Sequence, residues 1–328
     1  MRAGRVSRTV YRRSVLKQLH TGDGQNLLSP SEEEMCYGTI CPEECQVLSC
    51  QEMLWGNEPD LGVYALARGA NALATRGALP AGAAVSMLLP EEAEEAFLKE
   101  RMKRLSEAAK GQNIALLEAK AGSAPVGLPV VSVTVSGTVP AGKIRDMGKV
   151  PPGEDILLLK WTGLEGMLRI RFQKARELEA YFPSAFLELI DSRREEIFSL
   201  TEIQTAVALG ASAVHPVGEG GIFAALWNLA EGEHTGFRVD LKKIALRQET
   251  IEVCELFHLN PYQAAGTGCA LVVCPDGEKM ADALKQKGVY ATVIGHTEKG
   301  KQKILENGQE IRYLDRPAPD ETTKLYQM

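Results

Sequence analysis

Ala213-Val214-His215-Pro216-Val217-Gly218-Glu219-Gly220-Gly221, running into Ile222-Phe223-Ala224-Ala225-Leu226-Trp227, is the stretch on which the fold turns. Its first three residues read as the end of a buried strand. Gly218 to Gly221 read as a tight glycine-rich turn. Ile222, Leu226 and Leu229, with Trp227 beside them, fit one broad face of a helix over 222–231. Glycine is required where a Cβ would block either the turn or the approach of a ligand. A glycine turn that opens a helix points backbone N–H groups outward, where they can hold an anion. The plainer alternative is a turn that only connects strand to helix, and the stretch alone leaves both open.

Composition narrows the classes. A chain of 328 residues suggests about two domains. A hydrophobic share of 45% suffices for their cores. With 37 basic and 43 acidic residues the formal net charge is −6, which argues against general nucleic-acid or membrane-surface binding. No run approaches the length of a membrane span, and no apolar segment of a secretory leader follows the N-terminus. Seven cysteines, an odd number, suit a reducing compartment, so the expected location is the cytoplasm.

Further signals surround the central stretch. Downstream come Arg247-Gln248-Glu249-Thr250, Asn260-Pro261-Tyr262 and Gly266-Thr267-Gly268-Cys269-Ala270-Leu271; upstream lies Lys160-Trp161-Thr162-Gly163-Leu164-Glu165-Gly166. In this order and spacing the set resembles the AIR synthase-related (PurM/HypE-like) superfamily, closest to its hydrogenase maturation factor-like branch. The resemblance is dense over 153–326 and looser over 1–150. It implies an α+β, two-domain PurM-like fold. Residues 1–150 would form an ATP-binding-type N-terminal domain that dimerises, and residues 151–328 a C-terminal α+β domain. The linker composition of 142–153, with Pro151-Pro152, places the boundary there.

The resemblance also implies an Mg–ATP apparatus, which needs several carboxylates to hold magnesium against phosphate charge. This chain departs from it in five segments. Met35, after Glu32-Glu33-Glu34, stands where a G-x-G-x-D-x-A loop carries its aspartate; Gln51 stands for a strand-end aspartate. Asn71-Ala72 replaces Asn-Asp, and Glu118-Ala119-Lys120-Ala121-Gly122-Ser123 replaces a Gly-Gly-His-Thr-Glu-like turn. His215-Pro216-Val217-Gly218-Glu219-Gly220-Gly221 replaces His-Asp-Val-Thr-Glu-Gly-Gly. Maturation factors of this branch end in a cysteine that receives a carbamoyl group and is dehydrated; this chain ends Leu325-Tyr326-Gln327-Met328.

By this analogy the nucleotide- or phosphate-binding set is His215, Gly218, Glu219, Gly220, Gly221, Asn71 and Lys160. No catalytic residue and no metal ligand is assigned. ATP remains a candidate ligand without a complete magnesium set. His215 could act as a base, yet no Ser or Cys partner is indicated, and a hydrogen-bonded structural histidine is the simpler role. Glu219 could be an acid or base, or could favour the positive end of the helix. Two functions follow: a degenerate dimeric binding or scaffold protein with a protein partner in metalloenzyme maturation, or an ATP-dependent enzyme using a rearranged acid set of Glu32 to Glu34 and Glu219.

Other features have plain readings beside sharper ones. Cys36, Cys41, Cys45 and Cys50 follow C-x4-C-x3-C-x4-C, which matches neither a zinc pair nor a ferredoxin run, and free thiols are the default. Arg2, Arg5, Arg8, Arg12, Arg13 and Lys17 could form a nucleic-acid arm or transit peptide; a solvated helix face or dimer-edge segment is the plainer reading. Residues 60–77 read as a helix capped by Asp60 and closed by Gly77, and its alanines and glycines imply close backbone packing. Pro90-Glu91-Glu92 reads as the start of a second helix ending at Gly111. Thr162-Gly163-Leu164-Glu165 and Ser199-Leu200-Thr201-Glu202 fit capping boxes. The tail from Pro317 reads as extended.

Overall fold

The chain folds as two units, Met1–Ile144 and Arg145–Met328, in a computed structural model that describes residues 4–5, 7–20, 41–146, 148 and 150–326. Both units combine sheet with helix, as the α+β class requires.

In the first unit, β1 (Gly4–Arg5) and a helical segment opening at α1 (Arg8–Val10) precede β2 (Cys45–Trp55), α2 (Leu61–Thr75) and β3 (Leu79–Pro90). Then follow α3 (Glu95–Gly111), β4 (Ala115–Ala124) and β5 (Val130–Pro140). The five strands lie in the order β1-β4-β3-β5-β2. Alternation along β5 buries Val131, Val133, Val135 and Val139 on one face. α2 packs on that face closely: a Cβ at Gly69 would sit 2.8 Å from Val135 Cγ2, so only glycine admits the helix. On the opposite face Val47, Met53, Trp55, Leu79 and Leu88 are exposed. The basic N-terminal segment is docked on this unit. Tyr11 donates to the Ala119 carbonyl, Arg13 pairs with Glu95, and Val15 is fully buried.

Several local expectations are corrected here. Asp60 precedes α2 without a side-chain cap bond, because Arg104 of α3 takes its carboxylate at 3.1 Å. β3 runs through Pro90, so α3 begins only at Glu95. Glu118 to Ser123 is not a turn: it continues β4, paired in parallel with Ala84 to Leu89. Cys45 and Cys50 lie five residues apart on β2 and so leave opposite faces of the sheet.

The second unit contains β6 (Asp155–Leu159), α4 (Leu164–Gln173), α5 (Ala175–Tyr181), α6 (Ser184–Ser192), α7 (Leu200–Ala208) and β7 (Ala213–Pro216). It continues with α8 (Gly221–Gly232), β8 (Gly236–Asp240), α9 (Gln248–Leu256), β9 (Ala270–Cys274) and α10 (Gly277–Gln286). β10 (Ala291–Glu298), β11 (Lys303–Asn307) and β12 (Glu310–Tyr313) complete it. The seven strands lie in the order β12-β11-β8-β10-β6-β9-β7, with β11/β8 parallel and the other pairs antiparallel. Ile222, Leu226 and Leu229 bury the predicted face of α8 among Ile156, Leu158, Leu271 and Val273. The apolar spacing of that helix is therefore core spacing.

Neither capping box forms. Gly163, at φ +81°, occupies the N-cap of α4, and the Glu165 carboxylate turns inward. It accepts from Thr267 Oγ1 at 2.6 Å and lies 3.6 Å from Arg169, with no exposure of its side chain. Ser199 precedes α7 without a side-chain cap bond, and Glu202 faces Lys160 at 3.4 Å. The tail is not extended throughout: Glu321–Tyr326 winds into a 3-10 helix with Leu325 buried.

These two roles for Glu165 differ in cost. Losing a cap costs about 1 kcal/mol, whereas removing one partner of a buried ion pair costs about 3–5 kcal/mol. E165A should therefore lower unfolding stability in urea by about 3 kcal/mol or more. A loss near 1 kcal/mol would restore the capping role.

Candidate functional site

The central stretch forms the outer edge of the seven-stranded sheet. Among the described residues β7 pairs with β9 alone, with His215 opposite Leu271 and Pro216 opposite Ala270. Proline belongs at such an edge, where its missing N–H interrupts no ladder. Val217 N–H then donates to the Cys269 carbonyl at 3.1 Å, and the chain leaves the sheet.

The turn is defined by its glycines. Gly220 takes φ +74° as N-cap of α8, and Gly221 follows at φ +65°. A Cβ at Gly221 would lie 2.4 Å from the Tyr262 carbonyl oxygen and 2.7 Å from that of Ala264. These are backbone atoms and cannot move aside as a flexible side chain would. The Gly218 carbonyl accepts from Gly221 N–H at 3.1 Å and from Gly266 N–H at 3.0 Å, which binds the turn to the second glycine motif. Phe223 N–H donates to the Tyr262 carbonyl at 3.2 Å, and the two rings stack at 5.2 Å.

The N–H of Gly220 donates to Asp320 Oδ2 at 2.7 Å. The other oxygen of that carboxylate accepts from Thr322 N–H at 2.9 Å and from Thr322 Oγ1 at 2.6 Å. Asp320 is 3% exposed. The N–H at the head of the turn is thus taken by a carboxyl group from the chain's own tail. Sequence reasoning missed Asp320. The available signal was local: Asp-x-Thr-Thr at 320–323, a carboxylate placed to accept from the N–H two residues on.

Of the residues expected at the site, His215, Gly218, Glu219, Gly220 and Gly221 are gathered at the end of β7 and the start of α8. His215 is partly buried and Glu219 is exposed. Lys160 follows the end of β6, two strands from β7, roughly 10 Å away in the sheet. Its amine donates to the Glu196 carbonyl at 2.8 Å and the Phe198 carbonyl at 2.9 Å, besides facing Glu202. Its backbone sits at φ +61°, a left-handed conformation costing roughly 1–2 kcal/mol for a residue with a Cβ. Those bonds hold the amine toward 196–202 rather than toward the turn. Asn71 lies in the first unit, buried on α2. Glu32 to Glu34, Met35 and Cys36 fall outside the described residues. Gln51 is exposed on β2 and donates to Ser132 Oγ at 3.1 Å, while Ala72 sits in α2.

Thiol chemistry is not offered beside the turn. Burial pushes the Cys269 thiol up to about 12, so it stays protonated at neutral pH and donates to the Gly266 carbonyl. A second buried carboxyl group nearby is Glu165, bonded to Thr267 of the second glycine motif. Its partner Arg169 reaches on to the Tyr326 hydroxyl at 3.0 Å, so this network ends in the same tail.

The comparisons with known proteins agree with this architecture. The family described as AIR synthase related protein, C-terminal domain, matches residues 152–306. Carbamoyl dehydratase HypE of Rhodobacter capsulatus is 26% identical over 261 residues, covering 77% of this chain and 72% of that protein. The crystal structure of HypE from E. coli superposes with a TM-score of 0.78 at 16% identity, covering 97% of this chain and all of that one. A hydrogenase maturation protein HypE in complex with ATP superposes at 0.73 with 14% identity, covering 97% of each chain. These structural likenesses show a shared fold. Residues 152–306 match the AIR synthase related C-terminal domain family, and the chain is similar to HypE proteins of the hydrogenase maturation branch over about three quarters of its length.

Proposed function

We infer that this chain is a degenerate HypE-like protein, a dimeric binding or scaffold subunit in metalloenzyme maturation with little or no Mg–ATP chemistry. One observation carries the reading: the carboxylate bonded to the glycine turn is consumed there. Asp320 spends both oxygens on hydrogen bonds within the chain, Oδ2 on Gly220 and Oδ1 on Thr322, so the carboxylate nearest the turn is already engaged. Side chains at the positions compared with the family point the same way. Pro216, Gly218, Gln51 and Ala72 are not oxygen-anion ligands, and magnesium requires hard oxygen donors in near-octahedral array. The residues present therefore do not fit the Mg–ATP set, and no catalytic step is derived through it.

The first unit supplies the surface for self-association. Met53 is 70% exposed and Leu79 59%, on the sheet face opposite α2, with Val47 and Trp55 beside them. Such a patch covered by a second copy removes apolar area from water in both protomers at about 25 cal/mol per Å². Among the described residues no helix is long and apolar enough to cross a membrane. The cytoplasm is the location proposed, on the odd number of cysteines in a large chain.

Two measurements test the reading. Turnover of ATP with magnesium should stay well below roughly 1 per second; turnover at or above that rate, abolished by E219Q, would establish the rearranged-acid enzyme instead. In sedimentation at micromolar concentration the protein should run as a dimer, and M53E should shift it to monomer. A strictly monomeric wild type, or an M53E dimer of unchanged affinity, would remove the sheet-face interface.

A further inference from the structure

We propose that β12 is a self-pairing sheet edge: two copies of the chain join β12 to β12 antiparallel about a two-fold axis at Ile311, so that Glu310 of each copy faces Arg312 of the other. This goes beyond the proposed function, because it concerns the edge of the second unit's sheet and holds whether or not the first unit's sheet face is covered.

The free edge follows from the hairpin. β12 is the last strand of its sheet and, among the described residues, pairs with β11 alone. Its register sets Tyr313 opposite Ile304, Arg312 opposite Leu305, Ile311 opposite Glu306 and Glu310 opposite Asn307. Leu314 N–H donates to the Lys303 carbonyl at 2.7 Å, which fixes the phase of the ladder. Bonded and non-bonded pairs alternate along antiparallel strands. Glu310 and Arg312 therefore turn their backbone groups toward β11, and the N–H and C=O of Ile311 and Tyr313 point away from it. An edge of this kind is a template for another strand. Its side chains do not guard it, since Ile311 and Tyr313 are each 63% exposed.

Charge selects the occupant and the register. A two-fold axis that continues the sheet keeps the same face of both copies in line, so it passes through a residue rather than between two. Placed at Arg312, it would set that residue against its own copy, and like charges directly opposite are destabilising. Placed at Ile311, it lets the two Ile311 residues exchange both backbone bonds. Glu310 then lies directly opposite Arg312 on each side of the axis, an opposite-charge pair of the stabilising kind. Both side chains are exposed, and among the described residues neither makes an ion pair. Arg312 rests over the Phe223 ring at 5.7 Å, on the face that Glu310 shares. On the other face Tyr313 lies diagonal to Ile311 of the second copy, within reach of an aromatic side chain.

Four residues a side is far below a standard interface, so the dissociation constant should be on the order of hundreds of micromolar. Hydrogen exchange of labelled isoleucine amides by NMR, and sedimentation, both on the full chain across concentrations that bracket that value, test the pairing. The Ile311 amide should exchange several-fold more slowly at the highest concentration than at the lowest, and the average mass should rise with it. E310R sets like charges opposite each other and should abolish both effects; E310R/R312E restores opposite charges and should restore both. I311P removes the outward N–H without breaking the ladder to β11 and should also end the association. An Ile311 amide whose exchange is independent of concentration overturns the proposal, whether fast because the edge stays bare or slow because the chain covers it. An E310R that associates as the wild type does, or a folded E310R/R312E that does not regain association, overturns it too. The sheet-face dimer is read at micromolar concentration with M53E, so its failure leaves the Ile311 result intact, and failure here leaves that dimer intact.

Discussion

Position 221 has no room for a carbon beyond the backbone. The carbonyl oxygens of Tyr262 and Ala264 stand where its Cβ would be, and that closeness ties the start of α8 to the segment leading into β9. The Gly218 carbonyl completes the clamp by accepting from Gly221 and Gly266 at once. With the helix start fixed, Ile222, Leu226 and Leu229 are aimed into the core among Leu271 and Val273. The same fixation turns the Gly220 N–H outward to the tail. A two-glycine turn thus sets helix direction, core packing and the docking of the C-terminus together.

The charged groups of the second unit follow one logic. Glu165 reads as a helix cap and Lys160 as a phosphate ligand along the chain, Asp320 carries no reading there, and each is committed to another partner when the chain is folded. Glu165 is held by Thr267 and Arg169, Lys160 by two carbonyls and Glu202, and Asp320 by Gly220 and Thr322. Burying such groups gains little stability in itself, but leaving one partner unmatched is expensive. They therefore act as registration points: Arg169 bonded to Tyr326 fixes where the tail crosses α4, and Asp320 fixes where it crosses the start of α8. In the first unit the division of labour is between sheet faces. The valines of β5 receive α2 on one side, and the other side keeps Met53 and Leu79 in the open.

The sequence by itself determined the element types around the centre of the second unit. A period of 3.6 residues in 222–229, a glycine run before it and a buried-strand end ahead of that are local properties, and they survived folding with boundaries shifted by a residue or so. The demand for glycine at 220 and 221 was legible for the same reason, since a left-handed backbone excludes most side chains whatever surrounds it. The α+β class followed from the alternation of such segments.

Tertiary structure decided what each polar group is bonded to. The capping-box pattern at Thr162 to Glu165 is a local signal, and it lost to Thr267, about a hundred residues away, because the left-handed Gly163 turned the helix start and swung the carboxylate inward. Asp60 lost its cap role to Arg104 in the same way. The carboxyl group at the glycine turn also lay a hundred residues off, in a tail whose own composition suggested only an extended segment. Periodicity and backbone freedom are encoded in neighbouring residues. The partner of a buried charge is chosen by whichever donors the fold brings within 3 Å, and no spacing along the chain carries that information.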